Sequence, residues 1–372
     1  MNKTLIISLE YPPQVGGIAS YVSNFAQHMP AGEAVVYAPR MAGDKVWDSS
    51  ATVKTYRHNP YWVLWPRWLR MYFQVKKIVK TEKIQEIHVH HVLPVGYVAY
   101  ILKRTLKIPF IIFLHGTDLE MATRGAGKTK KFARLCREAT RVVVNSEFMK
   151  HKLDGKVEGL VNVVVVHPSP GDIFLNEPDQ TLLTELKSKL ALNGKKVMIT
   201  VARFAEGKGY PHLIRLLPQI LQTVPNLVWL VIGDGPKKLE LVNMVQKHSL
   251  QNVVRFLGQM DYKELPLYYH LADLYVLLTH KDESAEEGWG TSFLEAAACG
   301  LPVVAGRVGG VEEAVEHLVT GLLVDTYQDM SVVAAVTDLL RESDYAKKMG
   351  AAGRDRVMSE FTWDKQMKIF TN

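Results

Sequence analysis

Two carboxylates eight positions apart mark the segment of the sequence with the clearest capacity for chemistry. Glu287 and Glu295 flank Gly-Trp-Gly-Thr-Ser-Phe-Leu, which predicts a glycine-containing loop followed by the start of a helix. Gly290 allows the backbone to approach a ligand closely, and Thr291 or Ser292 can cap the helix. Since the unpaired N–H groups of a helix N-terminus bind anions, the segment predicts a phosphate site.

The two carboxylates occupy different positions at that site. Glu295 falls about one turn inside the helix, where a group that only accepts hydrogen bonds can hold a ribose hydroxyl. Glu287 stays on the loop, beside whatever group the phosphate carries. An ordinary amphipathic helix behind a glycine-rich loop would have the same sequence, so the interpretation needs support from elsewhere in the chain.

Two cations form a second candidate group. Arg203 and Lys208 lie in Val-Ala-Arg-Phe-Ala-Glu-Gly-Lys-Gly-Tyr, directly after a predicted strand. Fixed cations this close together can neutralise the charge that builds on a departing diphosphate, which stabilises a transition state without proton transfer. Gly233 and Met260 follow later strands and are assigned to a nucleoside pocket, where Met260 contacts the base through its backbone.

The first half of the chain offers backbone donors and one histidine. Gly16 and Gly17 follow the first predicted strand, within Pro-Pro-Gln-Val-Gly-Gly-Ile-Ala-Ser-Tyr, and can bring N–H groups against a diphosphate. A plain strand-to-helix turn explains the glycine pair about equally well. His115 follows the strand predicted at Phe110–Leu114, a position from which it can hydrogen-bond a sugar.

No metal site is expected. His88, His90 and His91 lack the spacing that places ligands on one helix, and the sequence contains no Asp-x-Asp. Residues 127–129, Gly-Lys-Thr, look like the end of a phosphate-binding loop, but the glycine required five positions earlier is Ala122. This tripeptide is predicted to be a mobile basic loop beside the place where an acceptor substrate binds.

An aromatic and basic segment runs from Tyr61 to Lys83. Its tryptophans alternate with cations, a combination with which a helix lies on an anionic membrane surface. The residues assigned to membrane or acceptor contact are Trp62, Trp65, Arg67, Trp68, Arg70, Lys76 and Lys77. A helix that packs on the core and keeps a solvated basic face is the alternative.

Length and charge bound the remaining possibilities. A chain of 372 residues predicts two domains, and its net charge of +7 divides into +10 for residues 1–190 and −3 for the remainder. A basic half suits acidic lipids, polyanionic acceptors or nucleic acid.

Two cysteines far apart, Cys136 and Cys299, favour a reducing compartment, most simply the cytoplasm. No 18 apolar residues stand together, so no membrane span is expected.

The elements that position these groups follow an α/β pattern. Short β-branched runs alternate with helical patterns in both halves, which predicts two parallel, doubly wound sheets of six strands each. The predicted domains are residues 1–170 and 178–352, expected to face each other across a cleft, joined by a linker at Pro168–Pro178. The tail from about residue 353 to 372, with Phe361, Trp363 and Phe370, is expected to pack back on the first domain.

Four of these groups, in this order, resemble retaining family 4 glycosyltransferases of the GT-B fold. The local sequence around Gly16 and Gly17 is similar to that of bacterial GDP-mannose-dependent mannosyltransferases that act on phosphatidylinositol mannosides. The matching positions are Gly16 with Gly17, His115, Arg203 with Lys208, and Glu287 with Glu295. The resemblance spans Ile6 to about Phe361. It implies transfer of a hexose, most simply mannose from GDP-mannose, onto a lipid-linked or glycan acceptor, with no metal or cofactor.

The resemblance also implies a role for each residue. Arg203 and Lys208 stabilise the departing diphosphate, Glu287 positions the sugar, Glu295 holds the ribose, and His115 contacts the sugar from the opposite domain. In this family an oxygen of the diphosphate is thought to help deprotonate the acceptor, which attacks on the same face of the sugar.

Alternatives remain open at the level of the sequence. Asp118 stands where the most similar mannosyltransferases tend to carry glutamate, and the loop at 281–286 is acidic, so a UDP donor of glucose, N-acetylglucosamine or galactose is the second possibility. A nucleic-acid-binding or nucleic-acid-modifying protein is a different class, disfavoured because the chain has no recognition motif. A sugar-nucleotide sensor without activity is a third, disfavoured because all four groups are present.

Overall fold

A computed structural model describes residues 2–61, 65–282 and 286–372 of the chain. They form two compact units, Met1–Pro168 together with Trp363–Asn372, and Ser169–Thr362. None of the described helices is both long and apolar enough to cross a lipid bilayer.

The first unit is built on a parallel sheet whose strands alternate with helices. The described strands are Thr4–Ile7 (β1), Ala34–Pro39 (β2), Lys54–His58 (β3), Glu86–His90 (β4), Phe110–Leu114 (β5), Arg141–Val144 (β6) and Val163–Val165 (β7). The helices between them are Gly17–Gln27 (α1), Asp44–Ser50 (α2), Leu69–Glu82 (α3), Val92–Leu106 (α4), Thr117–Ala122 (α5), Ala126–Glu138 (α6) and Glu147–Asp154 (α7). The strand order is β3-β2-β1-β4-β5-β6-β7.

Strand composition explains this architecture. Each residue of β5, Phe-Ile-Ile-Phe-Leu, is buried, as expected for a parallel strand covered by helices on both faces. The core on one face draws on α3, α4, α6 and α7, and the core on the other face draws on α1.

Two sequence predictions for the first unit were wrong. The strand β3 was missed, because Lys-Thr-Tyr-Arg-His contains no apolar run; it is a partly buried edge strand that pairs with β2. Residues 127–129 were predicted as a loop but lie in the first turn of α6, where Phe132, Leu135 and Cys136 bury an apolar face.

The second unit repeats the plan with the six strands that the sequence predicts. The strands are Lys196–Val201 (β8), Leu227–Ile232 (β9), Val254–Gly258 (β10), Leu274–Leu277 (β11), Val303–Gly306 (β12) and Gly321–Val324 (β13). The helices are Gln180–Lys189 (α8), Tyr210–Thr223 (α9), Lys238–Lys247 (α10), Leu265–Leu271 (α11), Thr291–Ala298 (α12), Val311–Ala314 (α13), Asp329–Arg341 (α14) and Ser343–Glu360 (α15). A short 3₁₀ turn, Asp172–Phe174, precedes α8.

The strand order of the second sheet is β10-β9-β8-β11-β12-β13. From β8 the chain adds strands in one direction to β10, then returns and adds β11 to β13 on the other side. The order therefore reverses between β8 and β11. In open α/β sheets, ligands bind outside the carboxyl ends of the strands at such a reversal.

The C-terminal helix, Trp363–Thr371 (α16), belongs to the first unit. Trp363 and Phe370 pack in the same core as α1, and the backbone N–H of His167 donates to Gln366 Oε1 at 2.8 Å. Phe361 instead packs in the second unit, with its ring 5.4 Å from that of Trp289. The return to the first unit thus occurs at Trp363 and not near residue 353, because α15 continues to Glu360.

Candidate active site

An ion pair between Lys208 and Glu287 lies at the carboxyl edge of the second sheet. Lys208 Nζ is 2.5 Å from Glu287 Oε2, and the two side chains are 27% and 19% exposed. Lys208 lies between β8 and α9, and Glu287 lies between β11 and α12. Because β8 and β11 are adjacent and parallel, the point where the strand order reverses brings these two loops together.

Both loops are fixed by close backbone contacts. The N–H of Gly310 donates to the carbonyl oxygen of Glu287 at 3.0 Å, and a Cβ on Gly309 would lie 2.1 Å from that oxygen. On the other loop, a Cβ on Gly209 would lie 2.0 Å from the carbonyl oxygen of Leu278. Since any side chain at Gly209 or Gly309 would push these loops apart, the glycines set the positions of Lys208 and Glu287.

The side chain of Arg203, unlike that of Lys208, is not paired with a carboxylate of the described residues. It follows β8 and is exposed, and its guanidinium forms no hydrogen bond or ion pair with any residue that the structure describes. The predicted pair of cations therefore consists of one lysine held by a carboxylate and one arginine open to solvent. A guanidinium in that state can bind an anion without first breaking an internal contact.

The N-cap of α12, the helix after Glu287, is a glycine one residue before the predicted capping residues. Gly290 is the N-cap, with a φ of 86°, and no side chain of the described residues caps the helix. Thr291 and Ser292 are its first two residues, so the prediction that one of them is the cap was wrong. The hydroxyl of Ser292 accepts a hydrogen bond from Tyr275 at 2.8 Å instead. The N–H groups of a first helical turn have no partner within the helix, so this end retains the character of an anion site.

Glu295 is buried inside α12, with 7% of its surface exposed. The hydroxyl of Tyr269 donates to Glu295 Oε2 at 3.0 Å. Burial raises the pKa of Glu295 to about 7, and hydrogen bonds from Tyr269 and Tyr262 oppose that rise. The side chain was predicted to act only as an acceptor, but near neutral pH it exists in both the protonated and the ionised form.

The two residues assigned to the nucleoside pocket lie on neighbouring loops. Gly233 follows β9, and its N–H donates to the carbonyl oxygen of Gly258 at the end of β10, at 2.9 Å. A Cβ on Gly233 would lie 2.1 Å from the carbonyl oxygen of Ala202, so packing within the unit already requires glycine there. Met260 is half-buried against the core of the unit.

In the first unit, His115 is bonded to a second histidine. His115 follows β5 and His90 ends β4, and His115 Nε2 lies 3.0 Å from His90 Nδ1. Burial, with a smaller contribution from His91, lowers the pKa of His115 to about 3, so its ring is neutral. Asp118 fixes the turn by accepting the N–H groups of His115 and Leu119 on Oδ1, each at 2.9 Å.

Two further polar residues stand at the same edge of the first sheet and were not selected from the sequence. Glu10 follows β1, and its Oε1 lies 3.3 Å from Nε2 of His91, which follows β4. The strand order reverses between β1 and β4, so this pair occupies the same kind of position as Lys208 and Glu287. The signal that could have found them is their place immediately after two predicted strands.

Gly16 and Gly17 begin α1, as the sequence predicts. Gly16 is the N-cap and Gly17 the first helical residue. A Cβ on Gly17 would meet no heavy atom within 4 Å, and one on Gly16 would meet only Glu10 Oε2, at 3.8 Å. Neither position is crowded by the described protein atoms, which leaves room for a group from outside.

Two protein-family models match the chain and together cover nearly all of it. Residues 15–171 match the model of Glycosyltransferase Family 4, and residues 184–356 match that of Glycosyl transferases group 1. The chain belongs to glycosyltransferase family 4. The resemblance on which the sequence prediction rested is therefore confirmed.

Relatives of this glycosyltransferase include full-length mannosyltransferases. It is 27% identical over 371 residues to the GDP-mannose-dependent alpha-(1-6)-phosphatidylinositol monomannoside mannosyltransferase of Mycobacterium tuberculosis, covering 98% of this chain and 96% of the relative. It is 26% identical over 283 residues to the N-acetyl-alpha-D-glucosaminyl L-malate synthase of Bacillus anthracis, covering 73% and 70%.

Solved structures show the same fold over the whole chain. HepE from Anabaena, in complex with UDP and glucose, superposes with a TM-score of 0.84 at 20% identity, covering 100% of this chain and 98% of HepE. WaaG, a glycosyltransferase of lipopolysaccharide biosynthesis, superposes with a TM-score of 0.71 at 14% identity, covering 98% of both chains. The predicted α/β GT-B class of the glycosyltransferase is confirmed.

The segment predicted to contact a membrane has two faces in this glycosyltransferase. Its helix, α3, buries Met71, Val75, Ile78 and Val79 in the core. Trp68 also packs against that core, with its ring 6.0 Å from that of Tyr97, and is half-buried, so its assignment to membrane contact stays a prediction.

The other residues of that assignment remain at the surface to different degrees. Trp65 is 90% exposed, and Arg67 and Lys77 are exposed. Arg70 and Lys76 are half-buried. Trp62 lies outside the described residues. The exposed members remain available for contact with another surface.

Proposed function

We propose that this glycosyltransferase moves mannose from GDP-mannose, with retention of configuration, onto a lipid-linked or glycan acceptor. The choice of mannose rests on the similarity to a GDP-mannose-dependent mannosyltransferase over 98% of the chain. The observation that carries the chemistry is the ion pair of Lys208 and Glu287, at the point where the strand order of the second sheet reverses. Arg203, on the same loop as Lys208, has no hydrogen bond or ion pair with any described residue.

The proposed reaction transfers one proton and exchanges one bond. The bond between C1 of mannose and the oxygen of the diphosphate breaks, and the acceptor oxygen bonds to C1 on the same face. The acceptor proton goes to the departing diphosphate oxygen. Negative charge grows on the diphosphate as the bond breaks, so preorganised donors aimed at that oxygen lower the barrier.

The second unit supplies such donors. Arg203, Lys208 and the N-terminal end of α12 each offer positive charge or N–H groups at the carboxyl edge of one sheet. Together they can take the part that a divalent cation plays in other transferases, so we propose that the reaction needs no metal. Glu287, kept in place by Lys208 and by the N–H of Gly310, accepts hydrogen bonds from the hydroxyls of the sugar.

We further propose that the basic face of the first unit contacts an anionic membrane. Helices α3, α4 and α6 contribute to one core and so lie on one face of the sheet. Helix α6, Ala-Gly-Lys-Thr-Lys-Lys-Phe-Ala-Arg-Leu-Cys-Arg-Glu, has exposed Lys128, Lys130, Lys131 and Arg134. On the opposite face, α1 has no charged residue, and α16 has only Asp364, Lys365 and Lys368. Such a one-sided distribution suits a surface of acidic lipids.

The donor is tested by thermal stabilisation and donor hydrolysis with GDP-mannose, UDP-glucose and UDP-N-acetylglucosamine, each with and without EDTA. We expect stabilisation and turnover with GDP-mannose that survive EDTA, and loss of turnover in Glu287→Gln. Selectivity for a UDP sugar would overturn the choice of donor and leave the transferase chemistry in place. Loss of all turnover in EDTA, restored by a divalent cation, would overturn metal independence.

The membrane face is tested by sedimentation with vesicles of phosphatidylcholine alone or mixed with phosphatidylglycerol. We expect binding to the anionic vesicles only, and a large decrease in the double variant Lys128→Glu/Lys131→Glu. The matched control is Lys187→Glu/Lys189→Glu on α8, which makes the same charge change on an exposed helix of the second unit. An equal decrease in both double variants would show a net-charge effect and not a binding face.

A further inference from the structure

We propose that His90 is a positioning residue which fixes His115 in the tautomer that carries its proton on Nδ1. His90 does not touch the substrate in this scheme; it acts through its hydrogen bond to His115. The inference rests on the proposed function, because it concerns the role that the family resemblance implies for His115, contact with the sugar.

His90 is a buried histidine whose one polar contact among the described residues is His115. It is 0% exposed, and its ring packs among those of Tyr21, Phe25 and Phe113, with centroids 6.0, 6.3 and 4.4 Å away. Among the described residues, the ring nitrogens of His90 bond only to His115, at 3.0 Å, and His90 Nε2 has no partner. An apolar ring would fill this aromatic site without leaving a polar atom unpaired.

The protonation state of the pair restricts its hydrogen bond. Burial lowers the pKa of both His90 and His115, so each ring is neutral and carries one proton. The contact joins His90 Nδ1 to His115 Nε2. Because a neutral imidazole has one donor and one acceptor nitrogen, only one of these two nitrogens carries the proton of the bond.

The unpaired nitrogen of His90 decides which one. If His115 donated, the proton of His90 would lie on Nε2, a buried N–H with no acceptor. If His90 donates from Nδ1, its Nε2 is a lone pair, and an unpaired buried acceptor is tolerated more often than an unpaired N–H. The second arrangement is therefore favoured, and it leaves the proton of His115 on Nδ1.

A neighbouring histidine has a similar environment. His88 is also 0% exposed, and its Nε2 lies 3.2 Å from Glu86 Oε2, so Nε2 carries a proton toward the carboxylate. Its Nδ1 has no partner among the described residues. Each buried histidine of β4 thus has one paired and one unpaired ring nitrogen.

The tautomer determines what His115 can do. Its Nδ1 forms no hydrogen bond with any residue that the structure describes, so this atom is the one left for a ligand. With the proton on Nδ1, His115 donates a hydrogen bond to a substrate oxygen and cannot accept the proton of a hydroxyl. His90 thereby makes His115 a fixed donor and excludes it as a general base.

The tautomer is measured directly in the ligand-free wild-type enzyme by long-range ¹H–¹⁵N correlation spectra of histidine-labelled protein. Comparison with a spectrum of His115→Gln assigns the signals of His115. We expect the chemical shift of a protonated nitrogen at Nδ1 and that of a lone-pair nitrogen at Nε2. The opposite pattern, or fast averaging of the two tautomers, overturns the proposal whether or not the enzyme transfers mannose.

Three variants then test the role of His90. His90→Phe keeps a ring and removes the donor, so we expect His115 to lose its single tautomer and kcat/KM to fall about five- to tenfold, the worth of one hydrogen bond. His90→Asn retains an N–H close to the position of Nδ1 and should restore most of this loss. His88→Phe replaces the other buried histidine of β4 and should leave the tautomer of His115 unchanged.

These measurements separate failure of the inference from failure of the proposed function. If His90→Phe keeps the wild-type tautomer of His115, His90 is not the positioning residue. If Glu287→Gln abolishes transfer but His90→Phe and His115→Gln do not weaken it, the glycosyltransferase reaction stands and the role of this histidine pair is overturned. If no donor is turned over at all, the spectra still decide the tautomer.

Discussion

Lys208 Nζ lies 2.5 Å from Glu287 Oε2 although 79 positions separate the two residues in the sequence. The contact arises because β8 and β11 are neighbours at the reversal of the sheet and because close backbone contacts fix both loops. In the ligand-free protein each side chain neutralises the other. A bound diphosphate therefore competes with Glu287 for Lys208, whereas the guanidinium of Arg203 has no hydrogen bond or ion pair with a described residue to give up.

We expect Lys208→Met to lower kcat about 10²- to 10³-fold, because a preorganised donor to the departing diphosphate is lost. The unfolding free energy should fall by about 1 kcal/mol, since Glu287 is left without its cation in a partly buried position. Steady-state kinetics and urea unfolding measure the two effects.

A matched control is Arg215→Met, which breaks an exposed ion pair in the same unit. In that pair, a guanidinium nitrogen of Arg215 lies 2.5 Å from Oδ2 of Asp329. This control should retain wild-type kcat. If Lys208→Met kept the kcat of the control, Lys208 would have no role at the departing group.

Arg203 gives a different expectation. Its guanidinium has no ion-pair or hydrogen-bond partner among the described residues, so Arg203→Gln should leave the unfolding free energy within about 0.5 kcal/mol of wild type. Affinity for a nucleoside diphosphate should fall roughly tenfold, because a charge-assisted hydrogen bond is lost. Calorimetric titration with GDP measures the affinity. A variant that bound GDP as tightly as wild type would remove Arg203 from the donor site.

Glu295 predicts a pH dependence of stability. Burial raises its pKa from 4.5 to about 7, so between these values the folded enzyme holds a proton that the unfolded chain has released. Stability from this group is therefore present below pH 4.5 and is lost as the pH rises to about 7. The loss is about 3 kcal/mol at about 1.4 kcal/mol for each pKa unit.

The comparison with Glu295→Gln isolates this contribution, because glutamine does not titrate. Urea unfolding of both proteins from about pH 4.5 to pH 8 should show wild type losing stability relative to the variant, with a plateau above about pH 7. Parallel stability curves for the two proteins would contradict a raised pKa of Glu295.

Much of the fold followed from the sequence because buried parallel strands are continuous apolar runs. All six strands of the second unit were predicted within one or two residues, since runs such as Leu-Val-Trp-Leu-Val-Ile at β9 have no polar interruption. The edge strand β3 was missed because one side of an edge needs no apolar residue. The position of the helix cap was missed by one residue, because Gly290 begins α12 through its backbone and not through a side chain.

The site was less predictable than the fold, because its contacts depend on which strands are neighbours. The spacing of Arg203 and Lys208 predicted two fixed cations close together, and nothing in the local sequence shows that Lys208 is bonded to Glu287. The same holds for His90, which in the sequence is only one of three clustered histidines. The pairing of β4 with β5 is what brings it to His115. Spacing along the chain identified the residue types, and only the strand order shows their partners.

Gly309 positions Glu287 without any chemistry of its own. A Cβ there would lie 2.1 Å from the carbonyl oxygen of Glu287, and the φ of 59° is unfavourable for any other residue. We expect Gly309→Ala to lower kcat/KM roughly 100-fold, because the carboxylate and its partner Lys208 are displaced from the sugar.

The control is Gly194→Ala, which has a φ of 70° but meets no heavy atom within 4 Å. Both variants should lose about 1 kcal/mol of stability through backbone strain, and Gly309→Ala should lose more, because the backbone of Glu287 must also move. Only Gly309→Ala should lose activity, which donor hydrolysis with GDP-mannose measures alongside thermal unfolding. If the two variants lost activity equally, strain alone would account for the effect, and the position of Glu287 would not depend on the missing side chain at Gly309.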